Sequence, residues 1–348
     1  MTPPAERSIL LVVHTGRPEG LQTARAVADR LCSAGVTMRV LESEAHDLGC
    51  ANTTVLPVSA DAAKGAEMVL VIGGDGTLLR AAELARPAGT PLLGVNVGHV
   101  GFLAETEPDV LSDAVDHILA GHYWVEPRMT VDVTIQENGA VSATTWALNE
   151  ATVEKAARER MLDLVIEVDG RPLARWGCDG MVFATPTGST AYAFSAGGPV
   201  VWPDVEALLL VPISAHALFA GPMVVSPESV LAAEVIGSTS SKLGKSGAVL
   251  WCDGRRSVDL PPGARIEVRR GAQPVLLARL RHRGDGDVGA IGPSTSGLGL
   301  DIGASFTDRL VAKFGLSVSG WRGRRQEQNR QRLESATQNR DKEPAGDA

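Results

Sequence analysis

The sequence predicts an α/β N-terminal domain built on a parallel, Rossmann-like sheet, followed by a mostly antiparallel β second domain. Three observations carry this expectation. Through the first third of the chain, short unbroken apolar runs alternate with amphipathic stretches. After Arg128 the runs alternate apolar with polar residues and are punctuated by turn pairs, and one early apolar run leads straight into a glycine-rich loop. Unbroken runs between helices mark strands covered on both faces, whereas alternation marks strands with only one face on a core.

In chain order, residues 9–13 read as the first strand, 22–34 as a helix, 36–41 as a strand, 68–72 as a strand, 77–85 as a helix and 92–95 as a strand. Beyond Arg128 the alternating segments are 130–136, 143–148, 162–168, 181–184 and 265–269. Asn138-Gly139, Asp169-Gly170 and Pro261-Pro262-Gly263 supply the turn chemistry between them. The longest apolar region, 205–225, is divided by Pro212, His216 and Pro222 into strand lengths, each far short of the ~20 residues of a membrane span. Residues 282–304, rich in Gly, Ser and Asp, read as a flexible loop, and the charged, Gln/Asn-rich stretch from Arg322 onward lacks the apolar residues needed to order it. The expected division is therefore 1–128 (phosphate-loop domain), 129–281 (β-rich domain), 282–304 (loop), 305–323 (an ordered segment packing back on the first domain) and 324–348 (disordered tail).

Composition narrows the function classes. The 348 residues are 44% hydrophobic and 21% charged, with a net charge of −8. No general basic surface exists to attract nucleic acid or an acidic membrane, so neither is an expected partner and phosphate chemistry must use local donors. Cys32, Cys50, Cys178 and Cys252 form no C-x-x-C pair and read as reduced thiols. Polar residues up to Ser8 lead directly into the first strand, with no secretory n-region or h-region, which points to the cytoplasm.

The strongest motif is Gly73-Gly74-Asp75-Gly76-Thr77, between a strand and a helix. Glycines let backbone N–H groups approach phosphate oxygens, and the helix N-terminus favours negative charge. A carboxylate repels an anion, so Asp75 suits proton abstraction from an attacking hydroxyl or the holding of a divalent cation. The alternative is that Asp75 merely caps its helix. Related G-G-D-G loops occur in phosphofructokinases and in diacylglycerol and sphingosine kinases, so the loop points to phosphoryl transfer without naming the acceptor. Other motifs fail: Gly244-Lys245-Ser246 lacks the first glycine and the strand of a P-loop, Gly297-Leu298-Gly299 lacks the third glycine of a dinucleotide fingerprint, and no G-x-S-x-G is present.

Further ordered matches are 94–103 (GVNVGHVGFL), Asn149-Glu150, Cys178-Asp179-Gly180, 185–192 (TPTGSTAY) and 195–199 (SAGGP). With the first loop, these make the chain resemble the NAD kinase family from about residue 8 to about residue 323. The resemblance implies an enzyme that moves a phosphoryl group from ATP or inorganic polyphosphate to the adenosine-ribose 2′-hydroxyl of NAD, with a divalent cation, expected to be Mg²⁺, as cofactor. It implies a homotetramer or homodimer. It makes Asp75 the proton acceptor and assigns substrate and nucleotide binding to Gly73, Gly74, Gly76, Thr77, Arg80, Asn96, Phe102, Asn149, Glu150, Arg160, Asp179, Thr187, Thr190, Ala191, Tyr192, Ser195 and Arg255. Taken singly, Asn149-Glu150 would read as a solvated strand end, Asp179-Gly180 as an ordinary turn, Tyr192 as a core aromatic and His216 as structural. A lipid or sugar kinase sharing the loop, and a non-catalytic NAD-binding sensor, are the rival functions. Many relatives carry Asn-Asn in place of Ile213-Ser214 and Arg in place of Gly221, and 282–304 resembles an insertion; these departures bear on pocket polarity and nicotinamide preference.

Overall fold

A computed structural model describes residues 7–50, 52–96, 101–103, 111–156, 161–217, 220–236, 247–280 and 306–316, without the side chains of 111–113 and 308. Arg160, the 244–246 and 297–299 motifs, the 282–304 segment and the 324–348 tail lie outside the described residues. The chain forms two units, Met1–Gly303 and Ala304–Ala348. In the second, the described element is a helix at Phe306–Phe314.

The first unit begins β1 (Ser8–Val13), α1 (Pro18–Ser33), β2 (Thr37–Leu41), α2 (Glu42–Leu48), β3 (Thr53–Leu56), β4 (Met68–Ile72), α3 (Asp75–Ala88), β5 (Leu92–Val95), α4 (Leu111–Ala120) and β6 (Tyr123–Arg128). Helix α1 starts a turn earlier than the apolar pattern suggests because Pro18, preset to helical φ and lacking an N–H, occupies its first turn. The sheet order is β3-β2-β1-β4-β5-β19-β6, with β19 (Val275–Leu280) parallel to β5 and antiparallel to β6. Thus a strand that the sequence division leaves in the second domain closes the sheet of the first. Right-handed crossovers that run outward from β1 in one direction and from β4 in the other place α1 and α3 on opposite faces. Accordingly Ile9, Leu11 and Val13 pack with Val27 and Leu31 of α1, while Leu10 and Val12 pack with Leu78 and Ala82 of α3. Every residue of β1 and β4 is buried, which is why their sequences are unbroken apolar runs.

The remaining strands are β7 (Val131–Glu137), β8 (Ala140–Ala147), β9 (Glu150–Lys155), β10 (Leu162–Val168), β11 (Arg171–Cys178), β12 (Gly180–Ala184), β13 (Leu208–Ile213), β14 (Met223–Val225), β15 (Leu231–Val235), β16 (Ala248–Cys252), β17 (Arg256–Leu260) and β18 (Arg265–Arg270), with a short helix α5 (Tyr192–Ser195) after β12. They build two six-stranded antiparallel sheets, β11-β10-β15-β18-β7-β8 and β14-β13-β12-β9-β16-β17. One shared core of alternating residues, including Val133, Ile166, Trp176, Phe183, Leu250 and Ile266, lies between them. The second sheet is also covered on its other face, by Ala193 and Val201 against Val182 and Val211. Burial on both faces explains the continuous apolar run of β12 and β13. Cys178 and Cys252 are buried free thiols in this sandwich, and burial pushes each up to about 11, which makes them inert fillers rather than nucleophiles.

Candidate functional site

The order β3-β2-β1-β4-β5 reverses direction between β1 and β4, and open α/β sheets bind ligands beyond the carboxyl ends of strands at such a point. A cavity of about 530 Å³ lies there. Its walls include His14 and Arg17 after β1, Gly73 and Thr77 after β4, Arg80 on α3, and Arg255 from the β16–β17 turn. Gly74 and Gly76 also line it, so the glycine-rich loop, Arg80 and Arg255 come together as the resemblance implies. Two of the arginines, Arg80 and Arg255, are held by acids. Arg80 donates to Val13 O at 2.9 Å and to the Glu44 carboxylate, which also takes the Val13 N–H at 2.8 Å. Glu44 is 2% exposed, and burial raises its carboxyl against the pull of Arg80. Arg255 donates from Nε to Glu83 at 3.0 Å.

Asp75 is the first residue of α3, and Gly74 takes the N-cap position. The half-buried Asp75 carboxylate turns away from its own helix and accepts the N–H groups of Phe102 (3.1 Å) and Leu103 (3.2 Å). The capping alternative therefore does not describe it: a segment 27 residues away fixes its direction. Gly101 makes that approach feasible, since a β-carbon there would collide with the carboxylate. Asn96, just after β5, is buried, and so is Phe102.

Asn149 immediately precedes β9 and Glu150 opens it; they are 8% and 6% exposed, which rules out a solvated strand end. Thr185 fastens the following loop to them, its N–H donating to Asn149 O (2.9 Å) and its hydroxyl to Leu148 O (2.6 Å). Gly188 then passes so close to Asn149 O that any side chain would overlap it. The loop carries Thr187, buried, and Thr190 and Ala191, partly exposed, into α5, where Tyr192 and Ser195 are exposed. Tyr192 is thus a surface aromatic, not a core one. Its backbone N–H donates to Glu150, whose Oε2 has no hydrogen-bond partner among the described residues. Burial first, and the neighbouring Asp253 carboxylate second, push the Glu150 carboxyl up to about 8.

Asp179 joins β11 to β12 and borders a second cavity of about 390 Å³ with Glu154, Lys155, Tyr192 and Ile213. Lys155 donates to the Asp179 carboxylate and, with the Ser214 hydroxyl and nearby His216, holds it below the usual carboxylate range. Asp179 is therefore a placed anion on a cavity wall rather than only a turn residue. His216 is exposed, and its N–H pairs with Gly177 O at 2.9 Å.

Two family models match the chain, the ATP-NAD kinase N-terminal domain over residues 9–123 and the ATP-NAD kinase C-terminal domain over residues 148–280. It is 55% identical to the NAD kinase of Thermobifida fusca (strain YX), over 93% of this chain and 94% of that one. The chain belongs to the NAD kinase family. NAD kinase 2 of Streptomyces coelicolor is 56% identical, over 93% of this chain and 99% of its own. Among solved structures, an NAD kinase from Archaeoglobus fulgidus in complex with ATP has a TM-score of 0.56 at 26% identity, covering 78% of this chain and 92% of that chain. Yeast NADH kinase complexed with NADH shares the fold, with a TM-score of 0.70 at 22% identity over 79% of this chain and 84% of that chain. The chain is accordingly an enzyme of the kinase class.

Family membership leaves some of the site's builders unnamed. His14 and Arg17 escape a motif reading because Gly16 and Gly20 beside them do not make a glycine fingerprint, although the switch-point rule would have pointed to them. Lys155 and Glu44 act through pairings with residues 24 and 36 positions away, which a linear reading does not see.

Proposed function

We propose that the chain is an NAD kinase that transfers the terminal phosphoryl group of ATP to the adenosine-ribose 2′-hydroxyl of NAD. The observation that carries this reading is the placement of Asp75: its neighbours Gly74 and Gly76 line a cavity that three arginines also rim, and its carboxylate is oriented by two loop amides instead of spent on a helix cap. As the ribose oxygen attacks the terminal phosphorus, the bond to the ADP bridging oxygen breaks and Asp75 takes the hydroxyl proton. Arg17, Arg80 and Arg255 offset the charge of the donor phosphates, and the loop holds them in line. Asn149 and Glu150 bind the acceptor ribose; Glu150, which keeps its proton at neutral pH, can both donate to and accept from a hydroxyl. Asp179 and Tyr192 take the rest of the dinucleotide along the second cavity.

Among the described residues no group of three or more His, Cys, Asp or Glu side chains is arranged to hold a metal ion. The residues therefore do not fit a cation held in a protein cage, and the divalent cation, Mg²⁺, is read as arriving on the donor's phosphates, where Mg²⁺ keeps most of its ligands as water and phosphate oxygen. A homotetramer or homodimer in the cytoplasm completes the reading; light scattering on the purified protein tests the subunit number. No described helix is long and apolar enough to cross a membrane.

Purified protein given NAD with ATP should form NADP measurable with an NADP-specific dehydrogenase, and a parallel reaction with inorganic polyphosphate tests whether that donor is used as well. Phosphorylation of a lipid or sugar alone, or NAD binding without product, would overturn the reading.

A further inference from the structure

We infer that Asp253 is a positioning residue that holds the Asn149–Glu150 corner and, through Arg256, sets it in register with the helix carrying Asp75. This rests on the reading of Asn149 and Glu150 as acceptor-binding residues. Asp253 stands in the β16–β17 turn, and it and Gly254 are both left-handed, at φ 54° and 62°. An Asp-Gly pair is ordinary hairpin chemistry, and a turn asks only for that backbone. The side chain does something a turn does not require. It points inward, 2% exposed, and one oxygen accepts the Asn149 N–H at 2.7 Å while both lie 3.0 Å from the Leu148 nitrogen. Its own N–H donates to Glu150 O at 3.0 Å. Main chain and side chain together clasp three consecutive residues, two of which face the acceptor.

A carboxylate buried this deeply is costly unless matched by donors and a cation. The amides supply the first, and Arg256 supplies the second, its Nη2 donating at 2.8 Å. Arg256 also pairs with Glu83 at 3.3 Å and lies 4.5 Å from the centre of the Trp146 ring. Arg86 stacks on the same ring at 4.5 Å. Glu83 and Arg86 belong to α3, whose first residue is Asp75. Asp253 is therefore a junction: the acceptor corner on one side, and on the other a guanidinium anchored to the helix that presents the base. Phosphoryl transfer is sensitive to displacements of about 1 Å between reacting groups; the neighbouring Arg255–Glu83 pair also ties this turn to α3, but only the path through Arg256 continues into Asp253 and the 148–150 corner.

Full-length Asp253→Asn and Arg256→Gln enzymes, assayed with each substrate varied and by calorimetry with NAD alone, test this. Asp253→Asn should raise the KM and the Kd for NAD about tenfold or more, and Arg256→Gln should raise them about threefold or more, with the KM for ATP within about twofold of wild type. A variant damaged only in fold would lower the melting temperature and the active fraction without separating the two KM values. If Asp253→Asn fails to fold by circular dichroism, Arg256→Gln decides. Unchanged NAD affinity in the folded variants, or equal losses for both substrates, overturns the inference. A wild-type enzyme that forms no NADP would sink the functional reading instead, and calorimetry would still decide whether Asp253 positions the dinucleotide site.

Discussion

Replacing Glu150 with Gln should flatten the pH dependence of stability across the neutral range. The carboxyl is 6% exposed, and burial beside the Asp253 carboxylate moves it from an ordinary 4.5 to about 8. Each tenfold change in proton affinity corresponds to about 1.4 kcal/mol, so this one group represents on the order of 5 kcal/mol. The folded protein holds the Glu150 proton more tightly than the unfolded chain does. Its favourable contribution is therefore complete below about pH 4.5 and is lost as pH rises through about 8. Gln has the same shape and keeps an acceptor for the Tyr192 N–H, but nothing to titrate. Urea unfolding of the unliganded wild type and the Gln variant, followed by tryptophan fluorescence at pH 5.5, 7 and 9, measures the difference directly. The stability of the wild type relative to the variant should fall by on the order of 3 kcal/mol between pH 5.5 and pH 9. Curves that stay parallel to within about 0.5 kcal/mol over that range would show that Glu150 is not held protonated, and the account of the corner as a crowded acid pair would be wrong.

Asp75→Asn should lower kcat by ~10²–10⁴ while NAD binding persists, because an amide cannot take the ribose proton; retention of more than about a tenth of wild-type kcat, with binding intact, refutes the base assignment. Gly101→Ala puts a methyl group into the Asp75 carboxylate and should cost ~10-fold or more in kcat with little change in melting temperature, since the clash displaces the base rather than the core; normal turnover would show that the two loop amides do not matter. Asn149→Ala removes a buried amide and, on the proposed acceptor role, should raise the KM for NAD by about one to two decades, the equivalent of ~1–3 kcal/mol. Asp179→Ala should raise the KM for NAD and leave that for ATP unchanged, and equal KM shifts for both substrates would move Asp179 out of the acceptor site.

How much of this is legible in the sequence depends on the range of the interaction involved. Strands β1 and β4 were legible because a strand buried on both faces must be apolar throughout, and the glycine loop was legible because its chemistry is written in five adjacent residues. The membership of β19 was not. An apolar run looks the same whether it pairs inside the sandwich or returns more than 140 residues later to lie between β5 and β6. The capping role for Asp75 was a fair local reading and failed for the same reason, because its true partners come from residues 102 and 103.

Asp253 sharpens the point, because its sequence is not silent but explains itself too readily. Asp-Gly after an apolar strand fully accounts for a hairpin, so nothing local invites a second explanation. Only burial exposes the surplus. An Asp whose sole task is to make a turn should leave its carboxylate in water, where ionisation costs little, yet this one is 2% exposed and spends its acceptors on the backbone N–H groups of Leu148 and Asn149. The same surplus appears at Glu44, buried beneath Arg80, and at Lys155, set against Asp179. In each case a charge away from the motif fixes a residue that the motif names. A family's motif can specify which groups meet the substrate, but the angle at which they meet it is set by these long-range partners, and substitutions at Glu44, Lys155 and Asp253 should change substrate affinities before they change the fold.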